Sequence, residues 1–335
     1  MFMMNKLIFS ISIFIGTLIS ISSYSWMGMW MGLEINLLSI IPLLANSKNM
    51  LNNEASLKYF IVQALASTLL LFSIIMMTSN LLMTWESNLM LIFNSSLLTK
   101  MGTAPFHFWF PEVIEGLNWL NCLLLLTWQK LAPMILIMYN NKMIMFFSFI
   151  IIFSMLISGI LGINQISIRK ILAYSSINHM GWMLSSMFFM ESIWMVYFLI
   201  YSLISMNIIF MLKIFNIFFL KQLFTELNNK INLKMFFIMN FISLAGMPPF
   251  LGFMPKWLTI QSLIENGLMF LPLLMVITTL LTIYFYTRVA LSTIILNSNM
   301  INFFFMNNKP HFLMVLFNFT MLMSLIIITL IFNIY

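Results

Sequence analysis

Five side chains in this sequence can take up or release a proton from within long apolar runs: Glu34, Lys100, Lys130, His179 and Lys256. Placing an ionisable group at such depth costs at least ~2.5–3.5 kcal/mol on insertion scales, and groups that persist there mark proton or ion pathways. Each has a plainer alternative in a static salt bridge or a side chain that stretches to water. Glu34 lies well inside Trp30-Met-Gly-Leu-Glu34-Ile-Asn36, where its short side chain cannot reach an aqueous end. Lys130 lies in Thr127-Trp-Gln-Lys130-Leu-Ala-Pro133, where the proline frees the carbonyl of Gln129. A carboxylate and an ammonium ~6 Å apart at an effective dielectric of ~20 interact by about 3 kcal/mol. A change in the Glu34–Lys100 separation of that order can therefore switch a lysine between holding and releasing its proton. His179, in Ser175-Ser-Ile-Asn-His179-Met-Gly, suits a carrier between Lys130 and Lys256, because imidazole titrates near neutrality; a neutral histidine bonded between helices is the alternative. His107 reads as structural.

The elements that must position these groups announce themselves by a repeat. Gly102-Thr-Ala-Pro105-Phe106, running on to Pro111, returns 144 positions later as Gly246-Met-Pro248-Pro249-Phe250, running on to Pro255. Proline removes a donor and strands the carbonyl four residues back, so each copy predicts a broken helix. Open backbone at membrane depth is tolerated only where it lines a cavity or is buried in protein. Lys100 immediately precedes the first copy, and on this reading the carbonyl of Met101, freed by Pro105, solvates its ammonium. Lys256 follows the second, where water entering along the break can reach it, with a purely structural capping role as the alternative. Corresponding interruptions in two halves of a membrane chain point to an ion or substrate path near the midplane.

Composition sets the class. With 62% hydrophobic and 7% charged residues in 335, the chain is an integral membrane protein, since soluble domains carry about 25% charged residues. One cysteine, Cys122, excludes an internal disulfide and a cysteine-ligated cluster, and the histidines 107, 179 and 311 have no metal-ligand spacing. No metal or cofactor site is expected in this chain. The first apolar stretch, with a lone Lys6 and no small-residue cleavage site, reads as a span rather than a signal peptide. The usage of 35 Met, 35 Phe and no Asp fits an AT-rich genome that reads an isoleucine codon as methionine.

At about 20 residues per span, the apolar runs predict an all-α polytopic protein of about eleven helices over 5–23, 26–45, 57–79, 88–110 (broken), 115–139, 143–163, 170–189, 192–216, 233–264 (broken), 268–296 and 311–334. A polar connection is expected over 221–234. This arrangement places eleven of the fifteen basic residues on the side of the N-terminus, against Lys142 alone on the other. The positive-inside rule makes the basic side the cytoplasm or its equivalent. The net charge of +7 is then a topology signal that implies no nucleic acid. Five helices separate the starts of the two broken segments, so the repeat has inverted topology: residues 1–140, then 141–296, with 297–335 as connection and last helix.

Together these motifs, with Ala55-Ser-Leu-Lys58-Tyr-Phe and Asn178-His179-Met-Gly-Trp182-Met, resemble the NADH dehydrogenase subunit 2 family of mitochondrial respiratory complex I, in its animal, insect-like form. More broadly the chain is similar to the antiporter-like membrane subunits of complex I and of multisubunit cation/proton antiporters. The resemblance covers the first to tenth predicted helices. It implies a proton-translocating subunit with Glu34 and Lys100 as a modulating pair and with Lys130 and His179 carrying protons toward Lys256. It implies FMN, iron–sulfur clusters and ubiquinone in other subunits, other core and accessory complex I subunits as partners, and bound phospholipid such as cardiolipin. The implied location is the mitochondrial inner membrane with the N-terminus in the matrix. Antiporter-like subunits usually carry fourteen helices; eleven match the shortened animal form. A cation/proton antiporter component without redox coupling and a non-conducting scaffold are the competing readings.

Overall fold

The computed structural model describes residues 2–46, 49–79, 86–141, 143–227, 231–248, 250–295 and Phe319. The predicted helix over 311–334, His311, Lys48, Lys142 and Pro249 lie outside them. Among the described residues the chain is helical, with fourteen helices and no strand. They divide into two compact units, Met1–Ile150 and Ile151–Tyr335.

The first unit holds α1 (Phe2–Ser22), α2 (Trp26–Leu44), α3 (Met50–Thr78), α4 (Glu86–Met101), α5 (Trp109–Gly116), α6 (Trp119–Leu126) and α7 (Trp128–Tyr139). Its tightest pairing is α1 on α2, where a Cβ on Gly32 would meet the backbone nitrogen of Ser20 at 2.5 Å and the Gly16 carbonyl at 2.8 Å. Small residues let the two backbones approach this closely, which is how helices associate when lipid supplies no hydrophobic drive. The single helix predicted over 115–139 is divided at Thr127, whose φ of −115° and ψ of −74° offset α7 from α6. Pro133 stays within α7, so the proline is not where the direction changes.

The second unit takes in the greater part of α8 (Ile144–Ile163), with α9 (Ile168–Ser186), α10 (Glu191–Ile214), α11 (Leu220–Leu227), α12 (Ile231–Ala245), α13 (Phe253–Glu265) and α14 (Phe270–Ile295). Within this unit α9 packs against α10, α13 and α14 and is buried continuously from Ile171 to Ser186. That enclosure explains why a helix rich in Ser, Asn and His persists in so apolar a chain: none of these groups faces lipid. The stretch 221–234, expected as an unstructured polar connection, instead includes α11, tied at its start by Gln222, whose side-chain oxygen accepts from the Phe218 and Phe219 N–H groups at 2.8 and 3.2 Å.

Six stretches among the described residues are long and apolar enough to cross a membrane: 26–44, 50–78, 119–139, 144–163, 191–214 and 270–295. Their outer faces are apolar, with Leu65, Leu69 and Phe72 on α3 and Leu273, Ile277 and Leu280 on α14 all exposed. Hydrophobic exposure on this scale matches a hydrocarbon solvent, and the chain is a multi-pass membrane protein.

Candidate functional site

Two interruptions of helix, one in each unit, carry the site. After Met101 the chain leaves α4, and it resumes as α5 at Trp109; after Ala245 it leaves α12, and it resumes as α13 at Phe253. Glycine ends both helices, at φ +72° for Gly102 and +76° for Gly246. In the first, the Gly102 N–H donates to the Thr99 carbonyl at 3.1 Å and the Thr103 N–H to Leu98 at 3.2 Å. In the second, the Gly246 N–H donates to Ser243 at 3.0 Å and the Met247 N–H to Ile242 at 3.5 Å. Both are Schellman closures, which need a left-handed residue that glycine adopts without a Cβ penalty.

This corrects the role expected of the prolines. Pro105 and Pro248 lie beyond the helix ends and block continuation rather than strand a carbonyl in mid-helix. Pro111 and Pro255 are each the third residue of the resumed helix, where a missing N–H costs no intrahelical bond. The expected freeing of the Met101 carbonyl by Pro105 does not arise, because Met101 is already the last residue of α4.

Around the first interruption, Lys100 is 8% exposed in the last turn of α4. Its own carbonyl accepts from Gln63 Nε2 of α3 at 3.1 Å, and the Thr99 carbonyl accepts from Trp109 Nε1 at 3.1 Å. Two carbonyls at this helix end, those of Thr99 and Lys100, are thus bonded by neutral side chains. Lys100 also borders a cavity of about 20 Å³ with Asn36, Gln63, Tyr59 and Gln129. That is room for one water, and the lining supplies the several polar partners a buried water requires.

Glu34 lies on α2, the helix that supplies Leu33, Asn36 and Leu37 to this lining. Its Oε2 is buried without a hydrogen-bond partner among the described residues. It lies near enough to Lys100 to interact electrostatically, without a direct ion pair between the two. Gln129 Nε2 donates to Asn36 Oδ1 at 2.9 Å, tying α7 to α2 one residue before Lys130. Lys130 is 1% exposed, with its ammonium 5.2 Å from the centre of the Phe110 ring, within the range of a cation–π contact.

Around the second interruption the lysine itself does the capping. Lys256, 6% exposed in the first turn of α13, donates from Nζ to the Ala245 carbonyl at 2.7 Å. A Cβ on Gly246 would meet that Nζ at 2.7 Å, so the glycine also makes room for the ammonium. The Trp182 ring centre of α9 lies 5.6 Å from Nζ. Elsewhere in this unit, His179 Nδ1 sits 3.0 Å from the Tyr197 hydroxyl of α10, with the Tyr201 ring centre at 5.0 Å.

Glu34, Lys100 and Lys130 thus belong to the first unit, and His179 and Lys256 to the second. Sequence reasoning did not single out Gln63, Tyr59, Tyr197 or Tyr201. The available signal was a lone polar residue within an apolar run for Gln63, and two tyrosines four apart on one helix face for Tyr197 and Tyr201. The arrangement offers three lysines and a histidine held dry, each beside a dipole, a ring or a water-sized space. It is chemistry suited to holding a proton rather than to attacking a bond.

Comparison with known proteins fits that chemistry. Residues 23–282 match the family described as NADH:quinone oxidoreductase/Mrp antiporter, transmembrane. The relatives narrow this: NADH-ubiquinone oxidoreductase chain 2 of Anopheles gambiae is 49% identical over 97% of both chains, and that of Aedes aegypti is 50% identical over 97% of both. A chain of respiratory complex I from Thermus thermophilus with bound aureothin shares the fold, with a TM-score of 0.86 at 21% identity, covering 98% of this chain and 79% of that one. The chain belongs to the NADH:quinone oxidoreductase/Mrp antiporter family, on the branch of the NADH-ubiquinone oxidoreductase chain 2 proteins, and the resemblance drawn from its motifs is borne out.

Proposed function

We propose that this chain is a proton-translocating membrane subunit of NADH:ubiquinone oxidoreductase, moving protons by way of Glu34, Lys100, Lys130, His179 and Lys256 as quinone is reduced elsewhere in the complex. The observation that carries the reading is the burial of three lysines, 1% to 8% exposed, in a chain of this family. Burial at such depth is costly for a charged group, and a group that alternates between protonated and neutral makes use of it. Glu34 modulates Lys100 through space, Lys130 and His179 carry, and Lys256 receives.

The reading includes two broken membrane helices crossing in opposite directions among about eleven spans, in the mitochondrial inner membrane with the N-terminus in the matrix. FMN, iron–sulfur clusters and ubiquinone reside in partner subunits, and cardiolipin binds near the basic loops. Support for the redox partner over a free-standing antiporter comes from the chain 2 relatives, matched along nearly their whole length.

The test is NADH:ubiquinone activity and coupled proton pumping in native membranes carrying Lys100→Met or Lys130→Met, with assembly of the complex measured alongside. Loss of pumping in a fully assembled complex is the expected result. Normal pumping from both variants would leave a scaffold.

A further inference from the structure

His179 is 4% exposed and Tyr197 is 1% exposed, so neither ring can exchange hydrogen bonds with bulk water. Their contact, Nδ1 to hydroxyl at 3.0 Å, is a full hydrogen bond whose direction depends on the tautomer. A phenol can donate and accept, which lysine, asparagine nitrogen or tryptophan cannot. With a neutral imidazole protonated at Nε2, the Tyr197 O–H donates to Nδ1. When a proton is added at Nδ1, the hydroxyl rotates and its oxygen accepts from the new N–H. Tyr197 keeps its own proton throughout; the one that moves comes from, and returns to, the neighbouring carriers.

We propose that Tyr197 is the positioning residue that lets His179 change protonation state inside a dry helix bundle, by supplying a hydrogen bond to either form. This rests on the reading of His179 as a proton carrier. The local architecture suits the role. Tyr197 and Tyr201 lie one turn apart on α10, and the Tyr201 ring packs against the imidazole at 5.0 Å between centres and 41° between planes. Ser176, one turn before His179 on α9, is in hydrogen-bonding reach of Tyr201. The imidazole is therefore held in plane by one tyrosine and at its nitrogen by the other.

Among the described residues, the titratable groups facing this part of α9 are few. They are Tyr197 and Tyr201 from α10, Lys256 from α13, against Trp182, and Tyr286 from α14, with Tyr174 on α9 itself. The α8 helix, which meets α9 at Gly181, carries none. Of these, Tyr197 is in hydrogen-bond contact with an imidazole nitrogen.

A hydrogen bond to an ion is roughly twice as strong as one between neutral groups, so loss of the hydroxyl disfavours the imidazolium more than the imidazole. In the assembled complex, Tyr197→Phe should move the limb of the pumping-versus-pH profile that reports His179 about one unit to lower pH, with pumping expressed per NADH oxidised. Tyr197→Gln, whose amide also offers both a donor and an acceptor, should keep the limb in place. The shift should vanish in a His179→Asn background. If Tyr197→Phe does not assemble, Tyr197→Met carries the same contrast with Tyr197→Gln.

An unmoved profile in the phenylalanine or methionine variant, with His179→Asn still impaired, would overturn the role of Tyr197 and leave the carrier standing. A shift that persists without His179 would overturn it as well. Normal pumping by His179→Asn alone would remove the carrier, and the proposal with it.

Discussion

The two interruptions begin with the same closure and end with opposite chemistry. Gly102 and Gly246 share backbone geometry, and Pro111 and Pro255 share a place in the first turn of the helix that follows. In the first unit the Lys100 and Thr99 carbonyls are bonded by Gln63 and Trp109, while Lys100 lines a cavity that fits one water. In the second unit the ammonium of Lys256 is itself the donor to the helix end. The 144-residue register makes the contrast sharper, because Lys256 corresponds to Glu112, an exposed residue of α5 that pairs with Lys58 at 3.0 Å. One backbone device has thus been supplied with a buried cation in one copy and a surface anion in the other. The backbone closure is generic, and the side chain placed around it decides what the break can do.

Four experiments bear on that contrast. The largest effect should come from Lys256→Met, which removes a proposed carrier and the cap together. Pumping should fall to background, and the unsatisfied Ala245 carbonyl should cost about 1–3 kcal/mol, read as a lower thermal transition of the assembled complex. Lys100→Met should abolish pumping without that loss of stability; an equal loss would erase the distinction between the two breaks.

Next in size, Gly246→Ala should destabilise more than Gly102→Ala. Each forces a left-handed residue at about 1–2 kcal/mol, but the new methyl at 246 meets the Lys256 ammonium whereas that at 102 meets the Phe110 and Trp109 side chains. Yields of assembled complex, compared side by side, check the order. Gln63→Leu should come third. It strips the Lys100 carbonyl of its donor for about 1 kcal/mol or more and dries the neighbouring cavity, so pumping should slow before assembly fails. Glu112→Gln should have the smallest effect, with no change in the melting of the complex, because both members of that pair are in solvent. A marked loss there would mean that the register partner of Lys256 does more than decorate a surface.

The sequence was most legible where the signal was local. A glycine and two prolines at matched spacing mark the stretches after α4 and after α12, and isolated charges in apolar runs located the buried lysines. The cause of the breaks was misread in favour of the prolines, since the left-handed turn that glycine permits leaves no trace in composition beyond the glycine itself. The offset at Thr127 was missed for a related reason: Pro133 drew attention six residues downstream, and a Thr bonded to its own helix, Oγ1 to Leu123 at 2.7 Å, looks like any other. The short helix α11 reads as a polar connection in the sequence because its charges outweigh its apolar face. Partners such as Gln63 for Lys100 and Tyr197 for His179 come from other helices, at separations of 37 and 18 residues, and a single sequence does not encode which helices meet.

The bond from Lys256 to Ala245 has a mechanical consequence. The C-terminal end of a helix carries a partial negative charge, and the ammonium is seated on that of α12 while being rooted in α13. The proton on this lysine is therefore also a fastener across the gap. When it departs, a charge-assisted bond is exchanged for a neutral one of about half the strength, and the joint between the two helices slackens. By reciprocity, anything that pries α12 from α13 weakens the hold on the proton by the same free energy. On the proposed reading, a displacement arriving along either helix and a proton leaving Lys256 are coupled by that same free energy.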